Sequence, residues 1–184
     1  MEIAEIKEKL FALVNSLEEM EANVDKCSTI MDALNPTGEE VTKFYVRDHL
    51  NSCVGYANTI VNFMTQTRGM VMTAKQIVRG AEEKFLLKRI EMLRALSDEE
   101  RKGLTEKERM MIAESKCGSV KEMYYTCRDV YDSARGLLET FCDKWNNLRL
   151  IHKSLLGQVG TLKGEDSMES DNWNKAAGRL GANY

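Results

Sequence analysis

The stretch IAEIKEKLFALVNSLEEMEANVDKCSTIMDAL, from Ile3 to Leu34, decides the fold of everything that follows it. Its apolar residues fall at alternating steps of three and four: Ile3, Ile6, Leu10, Leu13, Leu17, Met20, Val24, Cys27, Met31 and Leu34. A straight helix repeats every 3.6 residues or so, and a seam held near 3.5 over this length predicts a left-handed supercoil with a partner helix. No Asn or Lys on the seam fixes a dimeric register, so the oligomer order stays open. Phe11, Val14 and Ile30 widen the apolar stripe beyond what a two-stranded seam needs, which points to three or more neighbours. The alternative is that the seam packs only against later helices of its own chain.

Composition agrees with helices. Proline occurs once in 184 residues, charged residues make up 30% and aromatic residues 7%. That balance suits long helices with wide solvated faces. The net charge of -3 does not advertise nucleic acid for the chain as a whole, so any anion-binding surface must be local. Five cysteines at irregular spacings without a CxxC pair argue against a disulfide framework or a zinc knuckle and suit a reducing compartment. No stretch approaches the roughly 18 apolar residues of a membrane helix, and the N-terminus has no secretory pattern. A cytoplasmic protein is expected, with no membrane role.

Outward from the seam, Asn35-Pro36 stops the first helix, because proline cannot donate to it and biases its predecessor away from helical angles. Thr37-Gly38-Glu39-Glu40 has a capping-box pattern that starts the second. Three-four spacing then runs through Leu50, Cys53, Ala57, Ile60, Met64, Thr67, Val71, Ala74, Val78, Ala81 and Phe85, with Ile90, Leu93 and Leu96 extending it. Ala57, Ala74 and Ala81 would let a neighbouring helix approach closely. Ser97-Asp98-Glu99-Glu100 and Thr105-Glu106-Lys107-Glu108 repeat the capping box on either side of Gly103, which predicts a corner between two long antiparallel helices. A third seam follows through Val120, Tyr124, Cys127, Tyr131, Ala134, Leu138, Phe141, Trp145, Leu148, His152, Leu155, Val159 and Leu162. Met123, Val130, Leu137 and Ile151 lie beside it and make this the widest apolar face.

The expected fold is thus all-α: an elongated antiparallel helical bundle with an N-terminal coiled-coil oligomerisation helix. Residues 1–34 form the oligomerisation helix, residues 37–163 the long antiparallel pair, and residues 164–184 a flexible polar, acidic tail. Trp173, Leu180 and Tyr184 on that tail are candidate anchors for a docking motif.

Catalytic chemistry finds no footing. The two histidines, His49 and His152, have no Cys, His or carboxylate at a metal-binding helical step, and the Glu-x-x-His pattern of di-iron bundles is absent. There is no Gly-rich phosphate loop and no nucleophile elbow. The chain is expected to be no enzyme, with no cofactor, no metal and no small-molecule substrate. What remains is charge. Arg68, Lys75, Arg79, Lys84, Lys88, Arg89 and Arg94 outnumber Glu82, Glu83 and Glu91 and reverse the overall balance. Arg68, Lys75 and Arg79 are seven and four residues apart, and Lys84 and Lys88 are a further i,i+4 pair. A ridge of this kind can track a phosphate backbone, and oligomerisation would multiply its weak single-site binding. A solvated face of scattered surface pairs is the other reading.

In order and pattern the chain resembles the phage recombination mediator family (UvsY-like), small helical proteins that oligomerise and help load a RecA-like recombinase. Phe85-Leu86-Leu87-Lys88-Arg89-Ile90 lies where that family has a Leu-Lys-x-Arg segment that contacts DNA, with Lys88 matched and Arg89 displaced by one. Leu137-Leu138-Glu139-Thr140-Phe141-Cys142 and Asn147-Leu148-Arg149-Leu150-Ile151-His152-Lys153 are similar to its closing helix. The likeness runs from about Thr42 to Lys163; the heptad helix is longer than the family pattern requires and the acidic tail is extra. The resemblance implies single-stranded DNA, a single-strand-binding protein and a recombinase as partners, in the cytoplasm of an infected bacterium. The competing expectation is a coiled-coil structural or adaptor protein of phage assembly with no nucleic-acid role.

Overall fold

A computed structural model of the chain describes residues 1–34 and 43–161. Among them are five α-helices and no strand: α1 (Ile3–Leu34), α2 (Lys43–Arg94), α3 (Asp98–Arg101), α4 (Glu106–Ser115) and α5 (Ser119–Thr161). The all-α class expected from the periodicity is what forms. The turn at Asn35-Pro36, the capping box at Thr37 and the tail with Trp173, Leu180 and Tyr184 lie outside the described residues.

Two units divide the chain, each taking one half of α1, α2 and α5. The first comprises Met1–Glu19 and Thr67–Leu137. Its core is Ile6, Leu13 and Leu17 from α1, Ala74, Ile77, Ala81 and Phe85 from α2, and Met123, Cys127, Ala134 and Leu137 from α5, all buried. The start of α1 lies against α2: a Cβ on buried Gly80 would come 3.2 Å from the Cβ of Met1, a crowding that only glycine avoids without a shift. Beside it Lys84 Nζ donates to Glu2 Oε1 at 3.2 Å.

The second unit comprises Met20–Gln66 and the residues from Leu138 onward. Met20, Cys27, Met31 and Leu34 of α1 meet Val46, Leu50, Cys53, Ala57, Ile60 and Met64 of α2 and Phe141, Leu148, His152 and Leu155 of α5 in its core. Phe63 and Phe141 pack ring to ring at 5.6 Å, and Lys144 Nζ donates to Ser28 Oγ at 2.7 Å, tying α5 to α1. Each large apolar side chain withdrawn from water in this way stabilises the fold by about 1.5–3 kcal/mol.

The α1 seam is used inside the chain. Ile6, Leu13, Leu17, Met20, Cys27, Met31 and Leu34 are at most 8% exposed in a lone chain. Leu10 and Val24 are half-buried, and only Ile3 is exposed. In the lone chain the apolar pattern that suggested a partner copy packs against the chain's own α2 and α5. Phe11, read as widening the seam, instead points to solvent at 70% exposure.

The corner between α2 and α5 follows its local signals. Ser97 and Thr105 each close a complete capping box, with Glu100 and Glu108 returning to the cap amides at 2.9 and 2.7 Å. Gly103 sits at φ 78, in the left-handed region that favours glycine. The second box starts α4, ten residues long, and a second left-handed glycine, Gly118 at φ 48, immediately precedes α5. Arg101 folds back so that its guanidinium donates to the carbonyls of Leu93 and Arg94 at 3.1 and 3.0 Å, satisfying the orphan C-terminal acceptors of α2.

Candidate nucleic-acid interface

The seven cations expected to form one ridge on α2 divide between two sides of the helix. Arg68, Lys75 and Arg79 are exposed along one side, and Arg94 is exposed near the C-terminus. From Arg79 to Lys84 is a step of five, a rotation of about 140°, which carries Lys84 and Lys88 toward the packed side. Both are half-buried there. Lys84 pairs with Glu2 on α1, and Lys88 holds both oxygens of Glu91 at 2.9 and 3.0 Å. Arg89 is also half-buried; its guanidinium lies 5.8 Å from the centre of the Phe85 ring, and its buried Nε has no hydrogen-bond partner among the described residues. These positions do not make a continuous track for a phosphate backbone.

In the first unit the structure assembles a different feature, on the edge of α5. Lys121, Tyr124, Arg128, Tyr131 and Arg135 follow one another at helical steps of three and four, with Tyr125 four residues after Lys121 and three before Arg128. Lys121 Nζ lies 5.9 Å from the Tyr125 ring centre, Arg128 5.9 Å from Tyr124, and Arg135 6.0 Å from Tyr131. Tyr124 stacks on Phe85 of α2 at 5.3 Å and 7°, and meets Tyr125 at 5.3 Å and 55°. Arg89, Phe85, Tyr124 and Arg128 therefore form a run of two stacked rings with a guanidinium at each end, which bridges two helices. Cation over ring is an electrostatic attraction to the ring face, worth about 0.5–1 kcal/mol at exposed sites.

Electrostatics on this edge are mixed. Glu122 and Asp129 of the same helix lie about 100° further round than Lys121 and Arg128, whereas exposed Asp132, four residues after Arg128 and three before Arg135, lies on the same side as the cations. The Lys121 ammonium is 3.0 Å from Glu114 Oε1, and that hydrogen bond holds its pKa above the ordinary value. Arg128 and Arg135 are exposed, Tyr125 is 42% exposed, and Tyr124 and Tyr131 are half-buried. Sequence periodicity assigned Tyr124 and Tyr131 to the buried seam. The available signal was the cation three or four residues from each tyrosine, which a buried seam does not require.

Other chemistry is sparse. No group of three His, Cys, Asp or Glu side chains among the described residues can hold a metal ion. A cavity of about 470 Å³ on α5 is lined, among the described residues, by Asn146, Arg149, Leu150, His152, Lys153 and Leu156. No described helix is long and apolar enough to cross a membrane. Comparisons with protein-family models, curated proteins and solved structures found no match to this chain.

Proposed function

We propose that the protein binds single-stranded nucleic acid along the cation and ring edge of α5, with Arg89 of α2 beside it. The observation that carries this reading is the alternation of Lys121, Arg128 and Arg135 with Tyr124, Tyr125 and Tyr131 on one side of one helix. Proteins that hold single strands without sequence preference combine cations that follow the backbone with aromatic rings on which bases stack, at about 1–3 kcal/mol per base. Both elements are present within one strip. Guanidinium groups suit the role twice over, as bidentate phosphate donors and as planes that stack. Placing this binding in recombination, with a RecA-like recombinase and a single-strand-binding protein as further partners, rests on the resemblance of Phe85 to Ile90 and of Asn147 to Lys153 to the mediator family.

The test is anisotropy of a labelled single-stranded oligonucleotide titrated with the full chain. Affinity is expected to fall steeply with added salt, because bound cations release condensed counterions. Arg128→Glu with Arg135→Glu should weaken binding at least tenfold, whereas Lys75→Glu with Arg79→Glu should change it little. The absence of any anisotropy change at low salt would overturn the proposal. A second reading, a structural or adaptor protein without a nucleic-acid role, draws on the exposed apolar residues Leu86, Leu87 and Ile90 of α2. It predicts that same flat titration.

A further inference from the structure

The outward side of α2 in the first unit carries an apolar stripe that the nucleic-acid reading does not use. Leu86, Leu87 and Ile90 are 39, 57 and 44% exposed, although the opposite side of the same helix buries Ala81 and Phe85. Three large aliphatic side chains adjoining on one surface differ from the scattered single ones that any soluble protein shows. Glu83 and Arg94 bracket them, both exposed and both without an ion pair among the described residues.

Glu83, Leu87, Ile90 and Arg94 are separated by steps of four, three and four, so they share one line on the helix. Along the chain that line runs acid, apolar, apolar, base. Reversed, it runs base, apolar, apolar, acid. Two copies laid antiparallel about a two-fold axis therefore place each Glu83 opposite the partner's Arg94 and each Leu87 opposite the partner's Ile90. A parallel arrangement would set Glu83 against Glu83 and Arg94 against Arg94, at a cost in repulsion. The stripe is thus complementary to itself in one orientation only, which is the property an isologous interface requires.

We propose that this face of α2 docks a second copy of the chain, antiparallel, through Leu87 and Ile90 with flanking Glu83 and Arg94 pairs. The inference is independent of nucleic-acid binding, since it uses the side of α2 away from Phe85. Glu83 to Arg94 spans only about 16 Å of helix, and two such segments cover less than the roughly 800 Å² per partner of a standard stable interface. The dimer is accordingly weak, forming in the micromolar range or above.

Sedimentation equilibrium of the full chain over a concentration series up to the near-millimolar range provides the test. The expected result is a monomer-dimer equilibrium whose dissociation constant rises at least tenfold in Leu87→Asp with Ile90→Asp. Both positions are exposed, so the circular dichroism of that variant should be unchanged. Glu83→Arg alone and Arg94→Glu alone should each weaken the dimer, and the two together should restore it. A chain that stays monomeric throughout, an assembly indifferent to Leu87→Asp with Ile90→Asp, or a double charge swap that fails to restore pairing would each overturn the proposal. Monomers throughout would leave the stripe to a different protein.

Discussion

His152 shows what burial does to a single group. It is 3% exposed on α5, and loss of hydration holds its imidazole below the ordinary 6.5. The folded chain therefore binds fewer protons at this site than the unfolded one. Its contribution to stability is fully present above 6.5 and is lost as pH falls through the lower folded value. Urea midpoints measured between pH 7 and 5 should fall, and His152→Gln should flatten that part of the profile. The cysteines tell a related story: Cys27, Cys53, Cys117 and Cys127 are buried free thiols, and desolvation pushes Cys53 up to about 11. At neutral pH they stay protonated and act as small apolar packing groups.

Among the elements, the corner between α2 and α5 depends most on local chemistry. In each capping box a hydroxyl accepts from the third helical amide while a glutamate accepts from the cap amide, so donors that a helix start would leave unpaired are satisfied. Glu100 also accepts from Lys116 at 2.6 Å, which, ahead of the Ser97 amide, holds its carboxyl below the ordinary range. Ser97→Ala and Thr105→Ala should each cost about 1 kcal/mol in chemical denaturation. These signals were legible because a cap is written within four consecutive residues. The charge pattern of α2 was less so. Spacings of seven and four, and again of four, are sound within each subset of cations, but the step of five between Arg79 and Lys84 turns one subset away from the other.

For the chain as a whole, the decisive question is where the α1 seam finds its partner. Leu17 is 6% exposed in a lone chain and Leu10 is half-buried. Leu10→Asp with Leu17→Asp would place carboxylates in a packed interior, so the expected outcome is a loss of several kcal/mol and a lowered melting temperature at every protein concentration. A seam that bound another copy would instead give a fully helical, dissociated chain. Calorimetry over a dilution series separates the two.

The sequence by itself determined the helical class, the alternation of buried and solvated faces, and the corner with its two caps, because helix period and capping are set by residues within a turn or two of one another. It also fixed which side of α1 had to be covered. Only the tertiary structure decided what covers it, since a heptad repeat reports that a face is apolar and not whose atoms lie against it. The same limit applies to Tyr124 and Tyr131: their spacing fits a seam, but whether a ring at the edge of that seam is enclosed or displayed beside an arginine depends on how closely α2 approaches α5, and that distance is set by packing.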